Sequence, residues 1–222
     1  MDDDRWSRRT FLEWPIFTAL GYPLMRAMRS RQTNLNQLPP NLPVPKDDGA
    51  ARHLTGMALP DLALPSTGNR LVNLSKVSAP RTVIYAYPRT GVPGKPVPAG
   101  WDEIPGARGC TPETCGFRDH HKELARLGAE VFGLSTQDTA YQQEMVNRLD
   151  VPFEVLSDEH LTFTRALRLP TFTFDGMVLL KRLTLVARHG QIEHVFYPVF
   201  PPDTHTQEVM AWLGQHPLKA GS

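Results

Sequence analysis

The sequence predicts an α/β fold, a sandwich built on a mixed sheet, and three observations carry that reading. Residues 82–87 (TVIYAY) form a bounded, almost wholly apolar run, the pattern of a central strand buried on both faces. Between residues 110 and 167 helical stripes alternate with short strand-like runs. Residues 182–187 (RLTLVA) and 191–197 (QIEHVFY), joined at His189 and Gly190, read as a hairpin, which adds antiparallel pairing to the sheet.

Along the chain, residues 1–34 are an extension and 38–45 (LPPNLPVP) a stiff polyproline linker, dividing the protein into residues 1–50 and a globular part, 51–222. A short hairpin is expected where 62–64 and 70–74 flank the turn cluster Ser66–Asn69. The strand at 82–87 leads into a Pro/Gly-rich loop, 88–109, long enough to be functional. A helix follows, with Phe117, Leu124 and Leu127 on one stripe ending at Gly128. Then come a strand at 130–134, a helix from Asp138 to about Leu149 with Tyr141, Met145 and Leu149 on one face, and a strand at 153–156. Asp158 caps a helix reaching about Leu167, and a last helix covers roughly 206–213.

A chain of 222 residues buries a full core, and its two cysteines exclude a disulfide scaffold. A net charge of +1 with no basic stripe gives no nucleic-acid signature. No run of about 18 apolar residues occurs, so no transmembrane helix is expected. Ser7–Leu12 (SRRTFL) resembles a twin-arginine export signal, but Pro15 and Pro23 interrupt the stretch after it and no small-x-small cleavage site follows. A cytoplasmic location is the expectation, with export as the alternative. Phe17, Leu20, Leu24 and Met28 would then dock on the body or on a second copy of the chain, a homo-oligomer.

The chemistry centres on Cys110 and Cys115, in GARGCTPETCGFRD (106–119). Thr111 suits an N-cap and Pro112 a first helical position, so Cys110 falls at a helix start. There the unpaired N–H groups and the dipole favour a thiolate, whose pKa falls from about 8.5 toward roughly 3.5–7.5. Attack on a peroxide also requires a cation, for which Arg182 is the candidate; Arg108 is nearer in sequence but reads as a solvated loop residue. Glu113 in the first turn reads as a dipole-favoured carboxylate. Five helical positions separate Cα atoms by about 8–9 Å, whereas a disulfide needs less than about 7 Å, so pairing the two cysteines requires the first turn to unwind. His120 and His121 follow Cys115 at a spacing that matches no zinc pattern, and no metal is expected.

Taken together, YAYPR (85–89), GCTPETCGFRD (109–119), VFGLST (131–136), KRLTLV (181–186) and GQIEHVF (190–196) resemble the peroxiredoxins, closest to the bacterioferritin-comigratory, or peroxiredoxin Q, branch. The resemblance spans about residues 54–215. It implies a thioredoxin-like fold and thiol-dependent reduction of hydrogen peroxide and organic hydroperoxides, with thioredoxin or another dithiol as reductant and no metal, flavin or haem. By motif, Cys110 matches the peroxidatic cysteine, Cys115 the resolving cysteine, Glu113 the acidic or amide residue three positions on, and Arg182 the arginine of the later strand. The family's Thr or Ser three residues before the peroxidatic cysteine is replaced by Ala107, and the loop is expanded by 92–105. Pro88 with Thr90, or Thr111, are candidates to restore the hydroxyl, and Trp101 a candidate wall or packing residue. A thiol–disulfide reductase and a non-enzymatic redox sensor are the alternative readings on the same fold.

Overall fold

The computed structural model describes residue 35 and residues 37–218. The export-like segment Ser7–Leu12 and the apolar face of Phe17, Leu20, Leu24 and Met28 lie outside the described residues.

Short strands β1 (Leu64–Pro65) and β2 (Leu71–Val72) pair antiparallel around the Ser66–Asn69 turn, where the Gly68 N–H donates to Ser66 Oγ. The central strand, β3 (Arg81–Ala86), is buried at every position. Its residues alternate between two cores. Val83 and Tyr85 join Phe117, Val131, Met145 and Val209 on one face; Ile84 and Ala86 join Phe132, Leu156, Phe163 and Leu185 on the other. Two covered faces are the reason the run is apolar throughout rather than alternating.

The chain leaves β3 through the loop and two helices, α1 (Cys110–Asp119) and α2 (His121–Arg126), and returns as β4 (Ala129–Ser135), parallel to β3. The single helical stripe expected from Phe117 to Leu127 is thus broken at His120, and Phe117 and Leu124 remain buried from separate helices. Next are α3 (Thr139–Leu149), capped by Asp138 Oδ1 accepting from the Tyr141 N–H at 2.7 Å, and β5 (Val155–Ser157), parallel to β4. The N-cap position of α4 (Thr162–Leu167) is Leu161, not Asp158 as expected; from three residues earlier the Asp158 carboxylate still accepts the N–H groups of Phe163 and Thr164 at 3.0 and 2.8 Å.

Strands β6 (Thr171–Phe174) and β7 (Met177–Leu180) form a separate two-stranded ribbon turning at Asp175 and Gly176, both at positive φ. The sequence reading missed this ribbon, although Asp-Gly between apolar runs is a strong hairpin signal. The expected hairpin is present as β8 (Leu183–Arg188) and β9 (Gln191–Phe196), which completes a sheet of order β5-β4-β3-β8-β9, with β8 antiparallel to β3. Helix α5 (His205–Gln215) closes the domain against α1. Among the described residues, no helix is long and apolar enough to cross a membrane.

The segment before the hairpin belongs to this body. Asp48 accepts from Lys181 Nζ at 2.6 Å and from Tyr197 Oη at 2.7 Å, while Ala51, Leu54 and Leu59 are core residues.

Candidate active site

Helix α1 begins at Cys110 itself, and the residue before it is Gly109, in the left-handed region at φ +106°. The expectation of Thr111 as cap and Pro112 as first helical residue is corrected by two positions: both lie inside the first turn. Gly109 makes this early start attainable because a side chain there is excluded twice. The positive φ disfavours any Cβ, and a Cβ would meet Pro202 Cγ at 2.3 Å and Leu38 Cδ2 at 2.9 Å. Behind the helix, Tyr85 stacks on Phe117 with centroids 4.4 Å apart and donates to Thr114 Oγ1 at 3.3 Å, which ties α1 to the central strand.

Arg182, immediately before β8, is buried against this turn. Its Nη2 donates to Cys110 Sγ at 3.1 Å and to the carbonyls of Ala107 and Arg108 at 3.3 and 3.2 Å. Its Nε donates to the Gly106 carbonyl at 3.3 Å, and its Nη1 is paired with Glu113 Oε2. The chain reversal at 106–108 therefore forms a ring of acceptors around the guanidinium. The Cys110 thiol itself donates to the Ala107 carbonyl at 3.7 Å.

The sequence reading expected a thiol shifted down by the helix start. The structure corrects this: burial pushes the Cys110 thiol up, Arg182 pulls against it, and the Glu113 carboxylate adds to the rise. Cys110 is only 4% exposed, and the low dielectric of the core disfavours its charged form. Burial also drives Glu113 up to about 7 despite Arg182, and its Oε1 has no hydrogen-bond partner among the described residues. Glu113 is therefore not a solvated first-turn carboxylate; it competes with Cys110 for one guanidinium.

Cys115 lies half-buried on the same continuous helix, in a different concavity lined by Arg118, Arg148 and Asp203, with its thiol raised first by burial. The five-residue rise of about 7.5 Å keeps the two sulfurs apart while α1 is intact.

Cys110 lines a cavity of about 150 Å³ whose walls come from the 92–105 insertion, from residues 89–91 before it and from residues 107–111 after it. Ala107 is fully buried, and both Thr90 and Thr111 line the cavity, whereas Pro88 does not. Thr90 is held on both sides, its N–H by Gln137 Oε1 at 3.0 Å and its carbonyl by Tyr141 Oη at 2.8 Å. Trp101 is a wall residue and a packing residue at once, its ring 5.0 Å from that of Phe174 on the β6–β7 ribbon. Arg108, read from sequence as solvated, is buried and lines the cavity. Nothing in local spacing signals that burial; it follows from the insertion folding over the loop.

A Redoxin family model matches residues 54–211. A rice protein described as peroxiredoxin Q, chloroplastic (Oryza sativa subsp. japonica), is 30% identical over 158 residues, which cover 71% of this chain and 65% of that protein. The chain thus spans slightly under two thirds of the length of this relative. Peroxiredoxin Q of Sedum lineare is 28% identical over 174 residues, 78% of this chain and 85% of that one. The crystal structure of peroxidoxin BcpB from Mycobacterium tuberculosis superposes with a TM-score of 0.59 at 26% identity, covering 72% of this chain and 96% of that chain.

Proposed function

Because the chain belongs to the Redoxin family, and because Arg182 Nη2 sits 3.1 Å from a cysteine sulfur at a helix start that opens on a cavity, we propose that it is a thiol-dependent peroxidase reducing hydrogen peroxide and organic hydroperoxides. That contact between guanidinium and sulfur is the observation that carries the reading.

The Cys110 thiolate attacks the distal peroxide oxygen. An S–O bond forms and the O–O bond breaks, the sulfur is oxidised to sulfenic acid, and the peroxide is reduced to an alkoxide that takes a proton and leaves as alcohol or water. Arg182 stabilises the thiolate before attack and the developing oxyanion during it. Glu113 tunes this. With Glu113 protonated and neutral, the guanidinium charge faces the sulfur alone, and the thiolate is stabilised. Cys115 then attacks the sulfenic acid, forming the Cys110–Cys115 disulfide and releasing water, once the first turn of α1 unwinds. Thioredoxin or another dithiol reduces the disulfide and returns both thiols.

The test is peroxide-dependent oxidation of a thiol donor. Cys110→Ser should abolish it, and Cys115→Ser should give one turnover and a sulfenic acid that dimedone traps. Full activity in Cys110→Ser would overturn the assignment. The thiol–disulfide reductase alternative is weaker, since a sulfur buried this far is poorly placed to reach a protein disulfide. Insulin reduction without peroxide would favour that alternative.

A further inference from the structure

Helix α1 carries both cysteines, and its two halves are held differently. The later half is fixed to the body. Tyr85 Oη donates to Thr114 Oγ1, Phe117 is buried, and a Cβ at Gly116 would meet Thr206 Oγ1 at 2.8 Å, so α1 and α5 touch there. Cys115 belongs to this fixed half. A Cys110–Cys115 bond therefore forms by movement of Cys110. That movement starts at Gly109, whose carbonyl accepts the Glu113 N–H at 3.1 Å and closes the first turn.

The chain ahead of the domain lies against this moving end, as a strap made of Leu35 and residues 37–45. Leu35 lines the cavity beside Cys110. A Cβ at Gly91 would meet Leu35 Cδ2 at 3.0 Å, one at Gly109 would meet Leu38 Cδ2 at 2.9 Å, and one at Gly106 would meet Pro45 Cβ at 3.6 Å. Gly109 is thus clamped between Leu38 of the strap and Pro202, which precedes α5. Four prolines, at 39, 40, 43 and 45, stiffen the strap. Its anchor is Asp48, bound to Lys181 and Tyr197. Among the described residues no hydrogen bond ties 37–46 to the domain, so half-buried Leu38 is seated by packing and can leave its seat without breaking hydrogen bonds.

We propose that this strap is a latch on the resolving step: Leu38 is a positioning residue that holds Gly109, and with it the first turn of α1, in the wound form, and it must lift before Cys110 reaches Cys115. This rests on the peroxidase reading and deepens it by naming what regulates the second half of the cycle. In that half the Cys115 sulfur attacks the Cys110 sulfenic acid. An S–S bond forms, the S–O bond breaks, and the departing hydroxide takes up the Cys115 proton and leaves as water. The latch adds no chemistry. It favours the wound turn, in which Cys110 meets Arg182 and peroxide, over the unwound turn that resolution needs.

Two measurements on the full chain test it. The first is a single turnover with hydrogen peroxide, quenched with an alkylating reagent and read by peptide mass spectrometry as sulfenic acid converting to disulfide. Leu38→Ala should speed that conversion by about fourfold, the factor for roughly one buried methylene of lost contact. Val44→Ala, on the same strap but at a side chain 62% exposed, should leave it unchanged. Disulfide formation at the same or a lower rate in Leu38→Ala overturns the latch and leaves the peroxidase reading standing. Equal acceleration in Val44→Ala overturns the assignment to Leu38. Oxidation of Cys110 in neither the unmodified chain nor the variant overturns both readings. The second measurement needs no peroxide. In the reduced protein, Leu38→Ala should speed exchange of the Glu113 amide, which bonds the Gly109 carbonyl, and leave the amides of α3 (Thr139–Leu149) as they were. Faster exchange at both places is general destabilisation, and it overturns the latch.

Discussion

Arg182 and Cys110 are 72 positions apart in sequence, and the guanidinium Nη2 of one donates to the sulfur of the other at 3.1 Å. The contact is made inside the core, where a charge is costly unless paired, so the arginine is surrounded by acceptors: one thiol, one carboxylate and three backbone carbonyls.

Replacing Arg182 by Met removes the charge while keeping much of the volume. The second-order rate with hydrogen peroxide should fall by about 10²–10³-fold, as for loss of a preorganised oxyanion donor. The Cys110 thiol should titrate higher than in the unmodified protein. Stopped-flow rates and the pH dependence of absorbance at 240 nm read the two effects. Arg182→Lys should restore little, because an ammonium cannot serve sulfur, carboxylate and carbonyls together from one plane.

Glu113 titrates near 7 in the fold and near 4.5 as a free carboxyl, so the folded chain binds more protons than the unfolded chain between those values. Stability from this group is therefore greatest at acidic pH and declines as pH rises from about 4.5 through 7, by of order 3 kcal/mol. Urea titrations across that window should show the decline, and Glu113→Gln should flatten it.

The same substitution should lower the pKa of Cys110. The Glu113 carboxylate raises the thiol by drawing on the charge of Arg182, and glutamine mimics the neutral acid. In the unmodified chain the peroxide rate should climb with pH from 6 to 9, since burial holds the thiol high. In Glu113→Gln that climb should start at lower pH. An unshifted profile would show that the two groups do not share the arginine.

Closing the disulfide should cost helix. Cys110 and Cys115 lie on one unbroken segment, Cys110–Asp119, and cannot bond across about 7.5 Å of rise. Oxidation by one equivalent of peroxide should reduce ellipticity at 222 nm and speed amide exchange at 110–116, and Cys115→Ser should show neither change.

Gly109→Ala places a methyl group at φ +106°, against Pro202 and Leu38. The strain should destabilise the protein by about 1–3 kcal/mol and shift the helix start away from Arg182. Thermal unfolding and peroxide rate should therefore fall together.

Much of this architecture was legible in local pattern. The all-apolar run at 82–87, the Asp138 cap, the Asp158 carboxylate ahead of α4 and the His189–Gly190 turn each specify an element through neighbours a few residues away. The Asp175–Gly176 ribbon was equally legible and went unread. Cys110 stood out for the same local reason, as a cysteine entering a helix; Arg182 was a candidate cation and Glu113 a first-turn carboxylate on their own residues, and the resemblance of the surrounding motifs matched both to family positions.

What the chain order determined by itself is therefore the α/β class, the principal elements and the cysteine at the helix start that is the candidate nucleophile, because backbone propensity, capping and periodicity act over short separations. Only the tertiary structure decided that the thiol is raised by burial rather than lowered by its helix, that Glu113 and Cys110 share one buried arginine, and that Arg108 is buried at the wall of the cavity beside Cys110. Desolvation and Coulomb interaction depend on through-space distance between segments as remote as residues 89, 110 and 182, and that distance is set when the insertion and the central sheet pack around α1.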